Sequence, residues 1–170
     1  MKRKPTGITL AVSALIILAG GMAIAEGQAS QSRWKINTET VVDTQTGLMW
    51  QRKAPRVTLF WEQTQRYCEG LKLAGFSDWR MPTAKEQKSL VQGCKTDKTC
   101  KPGKGPGENG CYWQPAIWSG GCTRYWNSDS TGDKGFGYAL DFRDGSMKKY
   151  FKDGNVVGPY VRCVRGPVTK

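Results

Sequence analysis

The sequence predicts an α+β domain in which two helices come early, short antiparallel strands come later, and disulfides hold the parts together. Three features predict it. Apolar residues recur at helical spacing between Phe60 and Leu73, aromatic segments alternate with small or polar residues after residue 110, and six cysteines, an even number, stand in a chain of 170 residues. Helices first and strands afterwards describe an α+β arrangement rather than a βαβ one.

The chain opens with Lys2-Arg3-Lys4, runs without charge from Ile8 to Ala25, and ends that run in Ala23-Ile24-Ala25. A basic start, an apolar stretch and a small-x-small end mark a secretory signal over residues 1–25. The Gly20-Gly21 pair and the Ala-x-Ala end favour cleavage over a retained membrane anchor. Cleavage leaves residues 26–170, which is one domain's worth of chain with one modest core, no membrane span and an exported destination: periplasm, cell surface or medium. Residues 26–39 are expected as a flexible lead-in, polar and aperiodic through Arg33, with ordered structure gathering near Trp34.

Val41-Val42 and Leu48-Met49-Trp50 flank Asp43-Thr44-Gln45-Thr46-Gly47, whose Asx and Gly chemistry suits a tight reversal between two strands. Phe60, Trp61, Thr64, Tyr67, Cys68 and Leu71 then fall on one helical face, with Gly75 and Phe76 as a left-handed C-terminal stop. Thr83-Ala84-Lys85-Glu86, after Pro82, is a capping box that starts a second, shorter helix carrying Leu90 and Val91 and stopping at Gly93. From Lys95 to Gly110 the composition changes: Pro and Gly crowd residues 102–107, lysines recur at Lys95, Lys98, Lys101 and Lys104, and almost nothing is apolar. That is an exposed basic loop, bracketed by Cys94, Cys100 and Cys111.

In the aromatic half, Tyr138, Leu140 and Phe142 alternate with small or polar residues. The turn Arg143-Asp144-Gly145-Ser146 leads into a partner strand from Met147 to Phe151, and Tyr160 to Val164 reads as the last strand.

Charge and chemistry narrow the function. The chain has 26 basic and 14 acidic residues, a net charge of +12, and only Lys2, Arg3 and Lys4 of that excess leave with the signal. A polyanion is the natural partner, and export makes nucleic acid the least suitable one. There is no histidine. Ser-His-Asp and Cys-His pairs and His-ligated metals therefore cannot be assembled. Without Cys-x-x-Cys a zinc site is not expected either, and neither is a cofactor. Carboxylate pairs for glycoside cleavage could come from Asp129, Asp133, Asp141, Asp144 or Asp153, but most of these sit beside Gly or Ser, as turn residues do. In an oxidising compartment the cysteines are expected to form three disulfides, with fifteen pairings open.

The motifs are specific enough to carry a resemblance. Val42-Asp43-Thr44-x-Thr46-Gly47-Leu48-Met49-Trp50, Tyr67-Cys68-x-x-Leu71, the run Leu73 to Thr83 containing Gly75-Phe76-Ser77-Asp78-Trp79-Arg80-Met81-Pro82, then Glu86, and Tyr160-Val161-Arg162-Cys163-Val164-Arg165 resemble the Lcl C-terminal domain family. That is the terminal domain of a bacterial collagen-like adhesin, and the likeness covers about residues 40–166 in order. The resemblance implies a C-type-lectin-like fold and a disulfide between Cys68 and Cys163. For the remaining cysteines, proximity in sequence favours Cys94 with Cys100 and Cys111 with Cys122.

Asp78-Trp79-Arg80 is read as structural, with Trp79 in the core and its charged neighbours bonding to backbone or to each other. Calcium-binding lectins of the fold carry acidic motifs where this chain has Gln114-Pro115-Ala116 and Trp126-Asn127-Ser128, so calcium is not expected.

The resemblance implies a non-enzymatic module for an anionic polysaccharide such as a sulfated glycosaminoglycan. The expected contacts are Lys95, Lys98, Lys101 and Lys104, then Lys148, Lys149 and Lys152 on a second exposed turn, with Trp113 or Trp126 stacking on sugar rings. Two other readings stand beside it. One is an assembly role with another envelope protein as partner; the other is a formylglycine-generating-type enzyme using Cys94 and Cys100 or Cys111 and Cys122.

Overall fold

The structure, a computed structural model, describes residues 32–94, 100–113, 121–153 and 158–166. The reversal at Asp43–Gly47 forms as its residues require: Gly47 N–H donates to Asp43 O at 2.8 Å, and Asp43 Oδ1 accepts from Gln45 N–H at 3.1 Å. It joins β2 (Thr40–Asp43) to β3 (Met49–Gln51), and β1 (Trp34–Ile36) pairs with β2 on its other side. The stretch read as lead-in thus contains a strand, because Trp34 is buried and its strand completes the sheet.

The first helix, α1 (Trp61–Glu69), is shorter than its apolar spacing suggested. Gln63 Oε1 accepts the Phe60 N–H at its start, and Gly70 ends it. Gly75 is not its stop. Leu73 and Phe76 exchange N–H···O bonds of 3.0 Å across Ala74 (φ 52°) and Gly75 (φ 81°), a two-residue turn of the type hairpins use. Leu71 and Leu73, on either side of Lys72, pack partly buried against the core.

The capping box holds as expected at the start of α2 (Ala84–Lys88). Thr83 Oγ1 accepts Glu86 N–H at 3.2 Å and Glu86 Oε2 accepts Thr83 N–H at 2.8 Å. The helix ends before Leu90, which is buried from the turn that follows.

The second sheet contains β4 (Arg124–Ser130), β5 (Phe136–Asp141) and β6 (Ser146–Phe151), antiparallel in the order β4-β5-β6. Period-two alternation gives it two different buried faces. Tyr125, Leu140 and Phe142 join Val41, Leu48, Trp50 and Val164 in one cluster, while Trp126 and Ala139 join Cys68, Trp79, Met81 and Val161 in the other. The sheet is thus the partition between two apolar cores.

The last strand is also shorter than expected: β7 (Val164–Arg165) pairs with β3, giving a first sheet of order β1-β2-β3-β7. The residues before it are shared between partners rather than laddered to one. Tyr160 N–H bonds to Arg124 O at 2.8 Å and Trp126 N–H to Tyr160 O at 3.0 Å, after which Gln51 N–H takes Cys163 O at 3.0 Å. The segment thereby stitches the two sheets together.

All three disulfides pair as expected: Cys68 with Cys163, Cys94 with Cys100, and Cys111 with Cys122. The first ties α1 to the chain just before β7, 95 positions later, with Cα atoms 5.5 Å apart. Disulfide-rich chains belong to oxidising compartments. Among the described residues no helix is long and apolar enough to cross a membrane.

Candidate basic ligand surface

The basic loop is docked on the tip of the β5–β6 hairpin. Tyr112 is the anchor: its side chain is buried, its N–H donates to Phe142 O at 2.8 Å and its hydroxyl donates to Lys101 O at 2.7 Å. Gly103 N–H reaches Arg143 O at 3.4 Å, and the buried Cys100 sulfur lies against Gly145. Lys101 and Lys104 are exposed on this loop, and Lys148 and Lys149 are exposed on the adjoining β6. The two lysine groups that the sequence presented separately thus belong to one hairpin and the loop laid on it. Lys95 and Lys98 lie outside the described residues.

Arg143 is the member that sequence reading missed. It stands half-exposed at the tip and grips the buried Asp141 carboxylate through three N–H···O contacts of 2.5 to 3.1 Å. Its hydrogen bonds to Asp141 raise its pKa further above the ordinary arginine value, against the opposing effect of burial. Only the turn Arg143-Asp144-Gly145-Ser146 hinted at it, and nothing local says that a distant loop will dock there. Asp144 is held ionised: burial alone would raise its pKa, but bonds from the Ser146 hydroxyl and N–H and from Lys148 bring it below the usual carboxylate range. Lys148 Nζ lies 3.2 Å from Asp144. Among the described residues, Lys101, Lys104 and Lys149 have no ion-pair partner.

Three expectations are corrected. Trp113 (4% exposed) and Trp126 (0%) do not offer their faces to solvent. Trp113 packs against Phe142 at 5.4 Å between ring centroids, and Trp126 Nε1–H donates to Leu59 O at 2.8 Å. Both fill core volume, Trp126 from β4 and Trp113 from the segment that follows Tyr112. Lys148 and Lys149 are on a strand rather than a turn, because the hairpin closes earlier, at Asp141–Gly145. Lys152 is not grouped with them: it follows the far end of β6, half-buried, its ammonium 4.2 Å from the Trp61 ring centroid. A hollow of about 230 Å³ lies beside it, lined by Phe60, Gln63, Arg66 and Lys134 but also by Glu62 and Asp153. Those carboxylates, one of them 3.5 Å from Arg66, offset its cations.

The exposed aromatic rings are elsewhere. Phe151 is 62% exposed, and its ring lies 4.3 Å, centroid to centroid, from that of its cross-strand partner Phe136. One pair further along the same face, Tyr138 stands opposite Lys149.

The signature triplet is structural, though its charged residues do not bond to each other. Trp79 is buried, Arg80 holds Glu86 at 2.9 and 2.7 Å, and Asp78 takes two bonds from Arg165 at 2.6 and 3.1 Å. Four of the five carboxylates considered for glycoside cleavage hold hydrogen bonds within the fold. Asp129 accepts Ala84 N–H at 3.1 Å, Asp133 accepts Gly135 N–H at 3.2 Å, and Asp141 and Asp144 serve the hairpin tip. The amide of Asn127, buried, donates to Gln87 Oε1 at 3.2 Å. Residues 114–116 lie outside the described residues. Every cysteine is in a disulfide, so no thiol stands free.

No curated protein and no solved structure matches the chain significantly. The model of the Lcl C-terminal domain matches residues 39–165, from just before β2 to the end of β7 and including the docked loop and the β5–β6 hairpin. With that match over most of its length, the chain belongs to the Lcl C-terminal domain family.

Proposed function

We propose that the protein is an exported, non-enzymatic binding module that holds an anionic polysaccharide, of the sulfated glycosaminoglycan type, on the β5–β6 hairpin and its docked loop. The observation that carries this reading is the gathering of Lys101, Lys104, Arg143, Lys148 and Lys149 on one hairpin and loop, three of them without a carboxylate partner among the described residues. Cations held on a covalently braced loop lose little further entropy when a polyanion binds, and unpaired ones have no internal salt bridge to give up. The C-type-lectin-like arrangement belongs to the same proposal. It is supported by the antiparallel sheets, by β7 returning to pair with β3, and by the Cys68–Cys163 closure.

The test is retention of the mature domain on immobilised heparin at physiological salt beside a fold-unrelated protein of the same net charge and size. Later elution than that control supports the reading. Elution with or before it overturns the reading and directs the search to a protein partner in the envelope.

A further inference from the structure

The exposed Phe151–Phe136 pair and Lys149 share one face of the β5–β6 hairpin and form a short track along it. β6 is the edge strand of its sheet, and its six residues, Ser146 to Phe151, run about 17 Å at the ordinary rise. Arg143 lies at the tip, Lys148 faces the opposite side of the strand, Lys149 lies midway, and Phe151 closes the far end with most of its ring in solvent. Its face is electron-rich, as every aromatic face is, and it suits the weakly positive C–H side of a pyranose ring. The adjacent Lys149 suits a sulfate or carboxylate on the neighbouring unit.

We propose that Phe151, backed by Phe136, is a sugar-stacking subsite, so that the track selects a linear anionic polymer built of pyranose rings over polyanions that lack them. This rests on the reading above that the hairpin binds anionic polysaccharide. Phe136 holds the Phe151 ring in place from the adjacent strand, so less ordering remains to be done when a sugar arrives. The hollow near Lys152 is not the subsite, since Glu62 and Asp153 line it and would repel the sulfates.

The experiment compares the full mature chain with its Phe151→Ala and Phe151→Trp variants for binding to heparin and to linear inorganic polyphosphate, a ring-free polyanion. Circular dichroism and sedimentation accompany each protein. The side chain is mostly exposed, so both variants are expected to fold. Phe151→Ala should weaken heparin binding about 3- to 10-fold and leave polyphosphate binding unchanged, with Phe151→Trp restoring or exceeding the original heparin affinity. Equal losses for both ligands, or none for either, would overturn the subsite while leaving the polysaccharide reading intact. Absence of heparin binding by the unsubstituted chain would remove both. A dimer that Phe151→Ala breaks would assign the ring pair to self-association and overturn the subsite as well.

Discussion

Gly145 and Cys100 meet so closely that a methyl group on Gly145 would stand 2.6 Å from the Cys100 sulfur. One residue belongs to the tip of the β5–β6 hairpin and the other to the basic loop, so this contact joins them. Gly145 also has φ +68°, a conformation that side chains disfavour.

Gly145→Ala is therefore expected to cost about 1 kcal/mol in backbone strain, and more from the sulfur contact, and to lift the loop from the hairpin. The check is a lowered thermal midpoint together with a weaker heparin interaction. A variant with unchanged stability and unchanged binding would show that the contact does not place the loop.

The cations should divide by position. Lys101→Gln with Lys104→Gln, and Lys148→Gln with Lys149→Gln, should each weaken heparin retention and flatten its salt dependence, because each pair removes charge from the docked hairpin. Lys152→Gln should leave retention nearly unchanged and instead lower stability by about 0.5–1 kcal/mol, the worth of its contact with the Trp61 ring. Column elution and urea titration of the same proteins separate the two effects.

The Arg80–Glu86 pair predicts a pH signature. Burial alone would raise the pKa of Glu86, but the Arg80 guanidinium and the Thr83 N–H hold it below the usual value. A depressed folded-state pKa contributes stability that is complete above the unfolded value, about 4.3, and is lost as pH falls through the folded one. Arg80→Met leaves a buried carboxylate without its cation, costing about 3–5 kcal/mol at neutral pH. Because a neutral Glu86 no longer needs Arg80, the gap between the variant and the original should narrow in acid. Thermal midpoints measured across the acid range check this, and a gap that stayed constant would contradict it.

The Cys68–Cys163 and Cys94–Cys100 disulfides should differ in worth. Loop-entropy arithmetic gives about 4–5 kcal/mol for the Cys68–Cys163 closure and about 2 kcal/mol for Cys94–Cys100. Replacing Cys68 and Cys163 by Ala should therefore lower the unfolding midpoint in guanidinium far more than replacing Cys94 and Cys100. The second replacement should act chiefly on binding, through the loop.

Local chemistry was legible in the sequence wherever the decisive contacts were local. The Thr83–Glu86 capping box and the Asp43–Gly47 reversal each depend on residues within five positions, and each formed, while the turn read at Arg143–Ser146 closes earlier, at Asp141–Gly145. Gly75 misled because a left-handed glycine ends a helix and closes a hairpin equally well, and here the helix has already ended at Gly70. Trp113 and Trp126 misled for the opposite reason. A tryptophan carries no mark of what will cover it, and here Trp113 and Trp126 fall in the two apolar clusters on either side of the second sheet. The docking of the loop on Arg143 depends on Tyr112 reaching Phe142 thirty positions away, which no local pattern encodes. The site was therefore visible as a set of lysines and invisible as a surface.

The pairing of β7 with β3 and the bond from Cys68 to Cys163 set an order of events for a chain that emerges N-terminus first. Cys68 arrives long before its partner, and four other cysteines pass it in the meantime. Oxidation that kept pace with emergence would join the wrong sulfurs, and the first sheet would lack its final strand until residue 165 appeared. Closure at the end of the domain is therefore expected to make reshuffling, rather than collapse, the slow step of maturation. Recovery of the reduced chain should then accelerate when a disulfide isomerase is added, and gain little from an oxidant alone.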